Sequence, residues 1–279
     1  MEIIFKNSYG KILMSGKNIL NAWKIREISG LGLPEKSYSY NTFAGVPGQE
    51  LSQAQVLPRT ITIAVDIERN CLSEISRAAR VLLHDGDLII CHKTKQRKIF
   101  VRCISFTKQE RNDAINRAVV QFVADNPYFT DCEAKCDTVA MRTKNLTSDF
   151  TLPKKFSERK SKNILVVSGD SPSEPEIFIS CLSDGFAVGQ ENYVEIINHT
   201  TKKSIRLDYE LSYGEEIVID VLNRKITSST GKNMYAFLSK DSFLSDFYLD
   251  VGANEIECVC PFEVTVNAKY KNNYAEAMY

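Results

Sequence analysis

The sequence predicts a mainly β protein of two domains, the first carrying a single amphipathic helix and the second forming a sandwich or jelly roll. Three observations lead there. The chain has 279 residues, beyond the roughly 100–200 of one ordinary domain. β-Branched runs are punctuated by Gly, Ser, Thr, Asn and Asp roughly every 8–12 residues, the rhythm of sheets joined by turns. One segment alone breaks to helical spacing. The boundaries read as 1–135 for the first domain, 136–163 for a linker and 164–279 for the second.

The clearest strand is Thr60–Ile67, where Ile61, Ile63, Val65 and Ile67 alternate with Thr60, Thr62, Ala64 and Asp66. Side chains of a strand point alternately to opposite faces, so one face of this segment is buried. Ile99–Phe106 and Arg117–Ala124 read the same way, the latter with Ala118, Val120, Phe122 and Ala124 inward. From Asn70 to Leu83 the apolar positions Leu72, Ile75, Ala79 and Leu82 recur every three or four residues. Asn70 is placed to cap this helix, Glu74 suits its first turn, and Arg77 and Arg80 suit its later turns. Asp85-Gly86-Asp87 ends it. Alternation fades between Asn126 and Asn163, and Thr151–Asn163 carries Lys154, Lys155, Arg159, Lys160 and Lys162 against Glu158, the composition of a solvated linker or a basic edge strand. Short strands resume at Glu176–Cys181, Tyr193–Ile197, Ile205–Leu211, Glu216–Val221 and Lys225–Thr227, with no helix expected between 176 and 270. Val264, Val266 and Ala268 make the segment 262–279 a final strand of the second domain.

Lysine plus arginine balance aspartate plus glutamate, 35 against 35, so there is no net charge to hold nucleic acid by counterion release. The N-terminus has no secretory apolar core, and no stretch approaches a membrane span. The eight cysteines lie largely in apolar runs, as reduced thiols do in a cytoplasm.

Chemistry is sought without success. Cys132 and Cys136 are spaced CxxxC and Cys258 and Cys260 CxC, neither the matched CxxC knuckles of a zinc site. His84, His92 and His199 stand alone, with no GxSxG or cysteine context to make a nucleophile pair. Glu215 and Glu216 point to opposite faces of a strand, unlike a glycosidase pair. Gly231-Lys232 lacks the rest of a P-loop, and Gly30-Leu31-Gly32 runs into Pro34 instead of a third glycine. Phe237, Phe243, Phe247 and Tyr248 read as core. No catalytic, cofactor-binding or metal-binding residue is assigned, and no cofactor is expected.

Several stretches together resemble the distal tail protein family of long, non-contractile-tailed phages. They are Tyr40–Gly48 (YNTFAGVPG), Leu57–Ile63 (LPRTITI), the basic helix, and Asp125–Phe129, where Asn126 interrupts the family's DPYF ending. Further on come Gly169-Asp170 with Pro172 and Pro175, Ile196–Thr200, Gly214–Asp220, Gly231–Asn233, Asp241–Phe243, Phe247–Leu249 and Gly252–Asn254 with Ile256. The resemblance implies a non-enzymatic virion structural protein of the tail tip or baseplate, acting in host adsorption and assembled in the host cytoplasm. It implies a tail-tube-like N-terminal domain forming a hexameric ring, and a galectin-like or carbohydrate-module-like C-terminal sandwich. Expected partners are the major tail tube protein, the tape measure protein, a tail-associated hub or lysin, and receptor-binding proteins. DNA would pass through the channel without specific binding, and no membrane is involved. The long loop Leu33–Pro58 suits an arm reaching a neighbouring subunit. Two alternatives remain beside this reading: a carbohydrate-binding adhesion module recognising cell-wall sugar, and the equivalent component of a contractile tail or tailocin.

Overall fold

The computed structural model describes residues 1–16, 21–45, 47–68, 72–110, 115–144, 157–182, 192–261 and 263–277. Two compact units emerge, one comprising Met1–Cys132 with Tyr274–Tyr279 and the other Glu133–Asn273.

The first unit contains β1 (Glu2–Asn7), β2 (Gly10–Ser15), β3 (Trp23–Ser29), β4 (Lys36–Asn41), β5 (Glu50–Val56), β6 (Arg59–Glu68), α1 (Leu72–Leu82), β7 (Gly86–His92), β8 (Lys95–Glu110), β9 (Ile115–Ala124) and β10 (Phe129–Asp131). Seven of these strands close into a barrel in the order β8-β7-β1-β2-β3-β6-β9, with β9 returning to β8. Closure depends on the length of β8. Its first half pairs with β7, its second half with β9, and the register shifts between Cys103 and Ser105. A bulge there adds local twist and turns one strand from the first neighbour to the second. All pairs in the barrel are antiparallel except β2 with β3, which meet over only Met14↔Trp23 and Ser15↔Lys24. The inward face of β6 is as expected: Ile61, Ile63, Val65 and Ile67 are fully buried, facing Ala118, Val120 and Phe122 of β9. Each such aliphatic or aromatic side chain stabilises the barrel by about 1.5–3 kcal/mol.

Helix α1 forms where its spacing predicts, with Leu82 buried and Ile75 packed against the barrel core as expected. Ala78, Val81 and Leu82 join the barrel core, while Ala79, expected inside, is exposed. The side chain at Asn7 fixes the helix end, its Nδ2 donating to the carbonyls of Val81 (2.8 Å) and His84 (3.2 Å). The proposed cap, Asn70, lies outside the described residues.

The second unit contains β11 (Lys135–Lys144), β12 (Ser157–Lys160), β13 (Lys162–Val167), β14 (Glu176–Cys181), β15 (Val194–Asn198), β16 (Lys203–Leu207), β17 (Glu216–Asp220), β18 (Lys225–Ser228), β19 (Gly252–Val259) and β20 (Val264–Tyr270). They make a six-stranded sheet, β12-β11-β20-β14-β17-β18, and a four-stranded sheet, β13-β19-β15-β16. Inward residues of both share one core, Ile177, Ile179, Ile217 and Val266 from the first and Leu165, Ile196, Ile205 and Ile256 from the second. That is a β-sandwich. The only helical turns described in it are 3₁₀, at Tyr235–Phe237 and Leu244–Asp246.

The boundaries differ from the sequence expectation at two places. Of the segment 136–163, expected to be a linker, the described residues form most of β11, all of β12 and the start of β13 and belong to the second unit. Alternation fades because the register of β11 on β20 shifts between Thr138 and Ala140, and consecutive residues Val139 and Ala140 are both buried. β12 lies at an edge of the sheet, where Lys160 is exposed and discourages pairing with another chain. At the other end, β20 is the last strand of the sandwich as expected. The chain then forms β21 (Asn273–Tyr274) beside β10 and re-enters the first unit.

Candidate assembly surfaces

The segment between Leu33 and Pro58, expected to be a loop, is a two-stranded ribbon of β4 and β5 pairing Lys36↔Val56 through Asn41↔Glu50. Period-two alternation sorts it into two faces. Tyr38, Tyr40, Ala54 and Val56 lie on one, with Leu51 opposite Tyr40; Ser37, Ser39, Gln53 and Gln55 lie on the other. The Tyr38 and Tyr40 rings sit 6.5 Å apart on the apolar side. Every residue of both strands except Val56 is exposed, and neither strand contributes to either core. A lone two-stranded ribbon is marginal in water, and an apolar face on it is an unspent contact surface.

The arm is rooted by a buried arginine. Arg59, the first residue of β6, is 4% exposed. Its Nε donates to the Pro127 carbonyl (2.7 Å), Nη1 to those of Gly30 (2.7 Å) and Gly32 (2.5 Å), and Nη2 to that of Ala275 (2.5 Å). Its guanidinium lies 4.7 Å from the centroid of Phe129. Burial lowers its pKa from the usual arginine value, and the carbonyl cage replaces the water it has lost. Gly30 has φ +85°, and a Cβ there would strike the Thr60 carbonyl oxygen, so the cage requires glycine at that position. Residues 274–277 form a strap beside the cage. Arg97 stacks on Tyr274 at 3.6 Å and donates to the Glu276 carbonyl (2.7 Å), and the Ala277 amide donates to Leu31 (2.9 Å).

On the outer wall of the barrel, Asp66 is 2% exposed and accepts from Arg26 (2.6 Å) and Arg117 (3.2 Å). Burial by itself would raise its pKa, but the two guanidinium hydrogen bonds hold it below the ordinary carboxylate value. In the sandwich, Glu257 is held low in the same way by His199 and Lys162, against the opposing effect of burial. Tyr270 is pushed up to about 12 by burial and by its hydrogen bond to Asp137.

The residues weighed for chemistry are dispersed. Cys132 belongs to the first unit and Cys136 to the second. Among the described residues no group of three or more His, Cys, Asp or Glu is arranged to hold a metal. His84 stacks on Tyr9 at 3.8 Å, and His199 bonds Glu257. Glu215 accepts from Tyr209 and the Ser212 amide while Glu216 accepts from Ser180, so the neighbours do face apart. The carbonyls of Gly30 and Gly32 serve Arg59, and Gly231 forms a turn with φ +79°. Phe247 is core, Phe237 is half-buried against Tyr209, and Phe243, expected inside, is exposed. A cleft of about 160 Å³ between β2, β3 and α1 is lined by Lys11, Asn21, Trp23 and Arg77 among others, with no carboxylate or thiol among the described residues of its wall.

Residues 182–274 match the family described as siphovirus-type tail component, C-terminal domain. No curated protein sequence matches significantly. Among solved structures, the chain is similar to the SPP1 Dit (gp 19.1) protein, described as a paradigm of the hub adsorption apparatus in Gram-positive infecting phages, with a TM-score of 0.67 at 12% identity over 98% of each chain. It is also similar to a chain of the phage P2 baseplate in its activated conformation with Ca, at a TM-score of 0.53 and 11% identity over 96% of this chain and 97% of that one. The same baseplate with Sr gives 0.52. Residues 182–274 thus carry the signature of a siphovirus-type tail component, and the fold of the whole chain is similar to that of the SPP1 Dit protein.

Proposed function

We propose that the chain is a hub subunit of a siphophage tail tip, forming a ring that joins the tail tube to the tip proteins and docks receptor-binding components. The tail-component signature at residues 182–274 carries the tail assignment. The amphipathic β4–β5 ribbon supports the ring, because an arm with one apolar face and no cover among the described residues is suited to a neighbouring subunit. Contacts of that kind are heterologous, one patch meeting a different patch on the next copy, and they close rings. Six copies is the stoichiometry we assign, with the tape measure protein and DNA passing through the lumen. The subunit is assembled in the host cytoplasm, carried in the virion, and works by binding rather than catalysis. Light scattering tests this directly: the 31.5 kDa chain should give roughly 190 kDa as a hexamer, and Tyr38→Ser with Tyr40→Ser should reduce it to monomer with both cores intact. A wild-type monomer at all concentrations would defeat the ring.

A second reading, sugar recognition by the sandwich, has the exposed Tyr213, Tyr235 and Phe243 in its favour. A glycan screen of the full chain that finds no ligand would remove it.

A further inference from the structure

The Arg59 cage draws together parts of the chain with different roles. Gly30 and Gly32 lead into the arm, Pro127 lies on the path out to the second unit, and Ala275 lies on the path back. The strap adds its own tie to the arm's entry, Ala277 N to Leu31 O, and Ala277 is 1% exposed. The arm's two ends are themselves joined by Leu57 N to Glu35 O at 2.9 Å. We propose that the strap, residues 274–277, is a latch that sets the root of the β4–β5 arm, so that the arm becomes competent to engage a second copy only when the strap has docked. This rests on the reading of the arm as the self-association element.

Without the strap, Arg59 keeps three carbonyl partners and loses the acceptor of one N–H donor on a buried guanidinium, while the Leu31 carbonyl loses its bond from the Ala277 amide. A buried unpaired donor on a charged group is costly, and the segment best able to relieve it by opening is the exposed arm root, not the barrel strands. The order of synthesis gives the latch a use. Residues 274–277 follow the whole second unit along the chain, so an arm set by them is withheld from neighbours until that unit has been made.

Hydrogen exchange by mass spectrometry on the full chain tests this, with two variants: a stop after Asn273, and Ala277→Asp, which drives the strap out by burying a charge in its place. The expected result is exchange about tenfold or more faster in peptides spanning 30–35 and 56–60, with β9, β14 and β17 unchanged. Trp23 fluorescence confirms that the first unit remains folded. Unchanged exchange at the arm root would overturn the latch. So would a loss of protection throughout the first unit, since the strap would then be ordinary core. Light scattering on the same samples separates the two ideas: a wild type that never self-associates sinks the ring reading, while the exchange pattern still judges the latch.

Discussion

Replacing Asp66 with asparagine should remove much of the stability that an outward-facing carboxylate gives the barrel. Asp66 lies on β6 directly opposite Arg117 of β9, with Arg26 of β3 beside it. It ties three neighbouring strands through charge-assisted hydrogen bonds of 2.6 and 3.2 Å. Such bonds are worth about 1.5–3 kcal/mol each. The arginines are 53% and 38% exposed, however, so solvent screens much of the attraction and the pair together comes to roughly 2–3 kcal/mol. Asparagine keeps the shape and one acceptor, which leaves an expected loss of about 2 kcal/mol at neutral pH. Urea is the denaturant of choice because it does not screen charge. The single tryptophan of the sequence, Trp23, is 3% exposed in the barrel core, so its fluorescence reports the first unit alone. The pH dependence has a definite sign. The folded-state pKa of Asp66 lies below its unfolded value, so its contribution is complete above the unfolded value of about 3.9 and vanishes as pH falls through the folded one. The gap between wild type and Asp66→Asn should therefore close in acid. A gap under about 0.5 kcal/mol at pH 7, or one that widens on acidification, would refute the reasoning.

Other outcomes follow from single residues. Ile179→Ala, at a fully buried site of the sandwich, should cost about 2–5 kcal/mol in a calorimetric transition that Trp23 fluorescence does not see. Ultraviolet titration should find one tyrosine ionising last, near pH 12, and Tyr270→Phe should abolish that step. Iodoacetamide should modify exposed Cys136 first, and Cys181 and Cys258, both buried, only after denaturation; early labelling of the buried pair would contradict the sandwich core.

Strands with one clean buried face were legible from residues alone. β6 and β9 are examples, because their alternation is uninterrupted over the whole barrel wall. β11 was not, since a bulge at Val139 places successive residues inside and breaks the period that marks a strand. The arm shows a different limit. Its Ser-Tyr alternation is in the sequence, but polar residues and a long turn between its strands read equally as a loop. In α1 the expectation fails at Ala79 alone among the described side chains, because Ala78 and Ala79 are chemically the same and only packing distinguishes them. Arg59 was visible as part of a family-like LPRTITI stretch, yet its carbonyl partners lie 27, 29, 68 and 216 positions away, a relation no local pattern encodes.

The chain leaves the first unit after β10 and returns through β21, and these two strands are neighbours in one sheet. Adjacent strands lie about 4.8 Å apart, so the whole sandwich departs from and rejoins the barrel unit at points no farther separated than the ends of a hairpin loop. In genetic terms it is a cassette. A recombination that exchanges everything between Cys132 and Tyr274 needs to match only two closely spaced ends, and the Arg59 cage and the arm pass through it unaltered. Equally, a short turn in place of the cassette is the simplest design for the barrel unit alone.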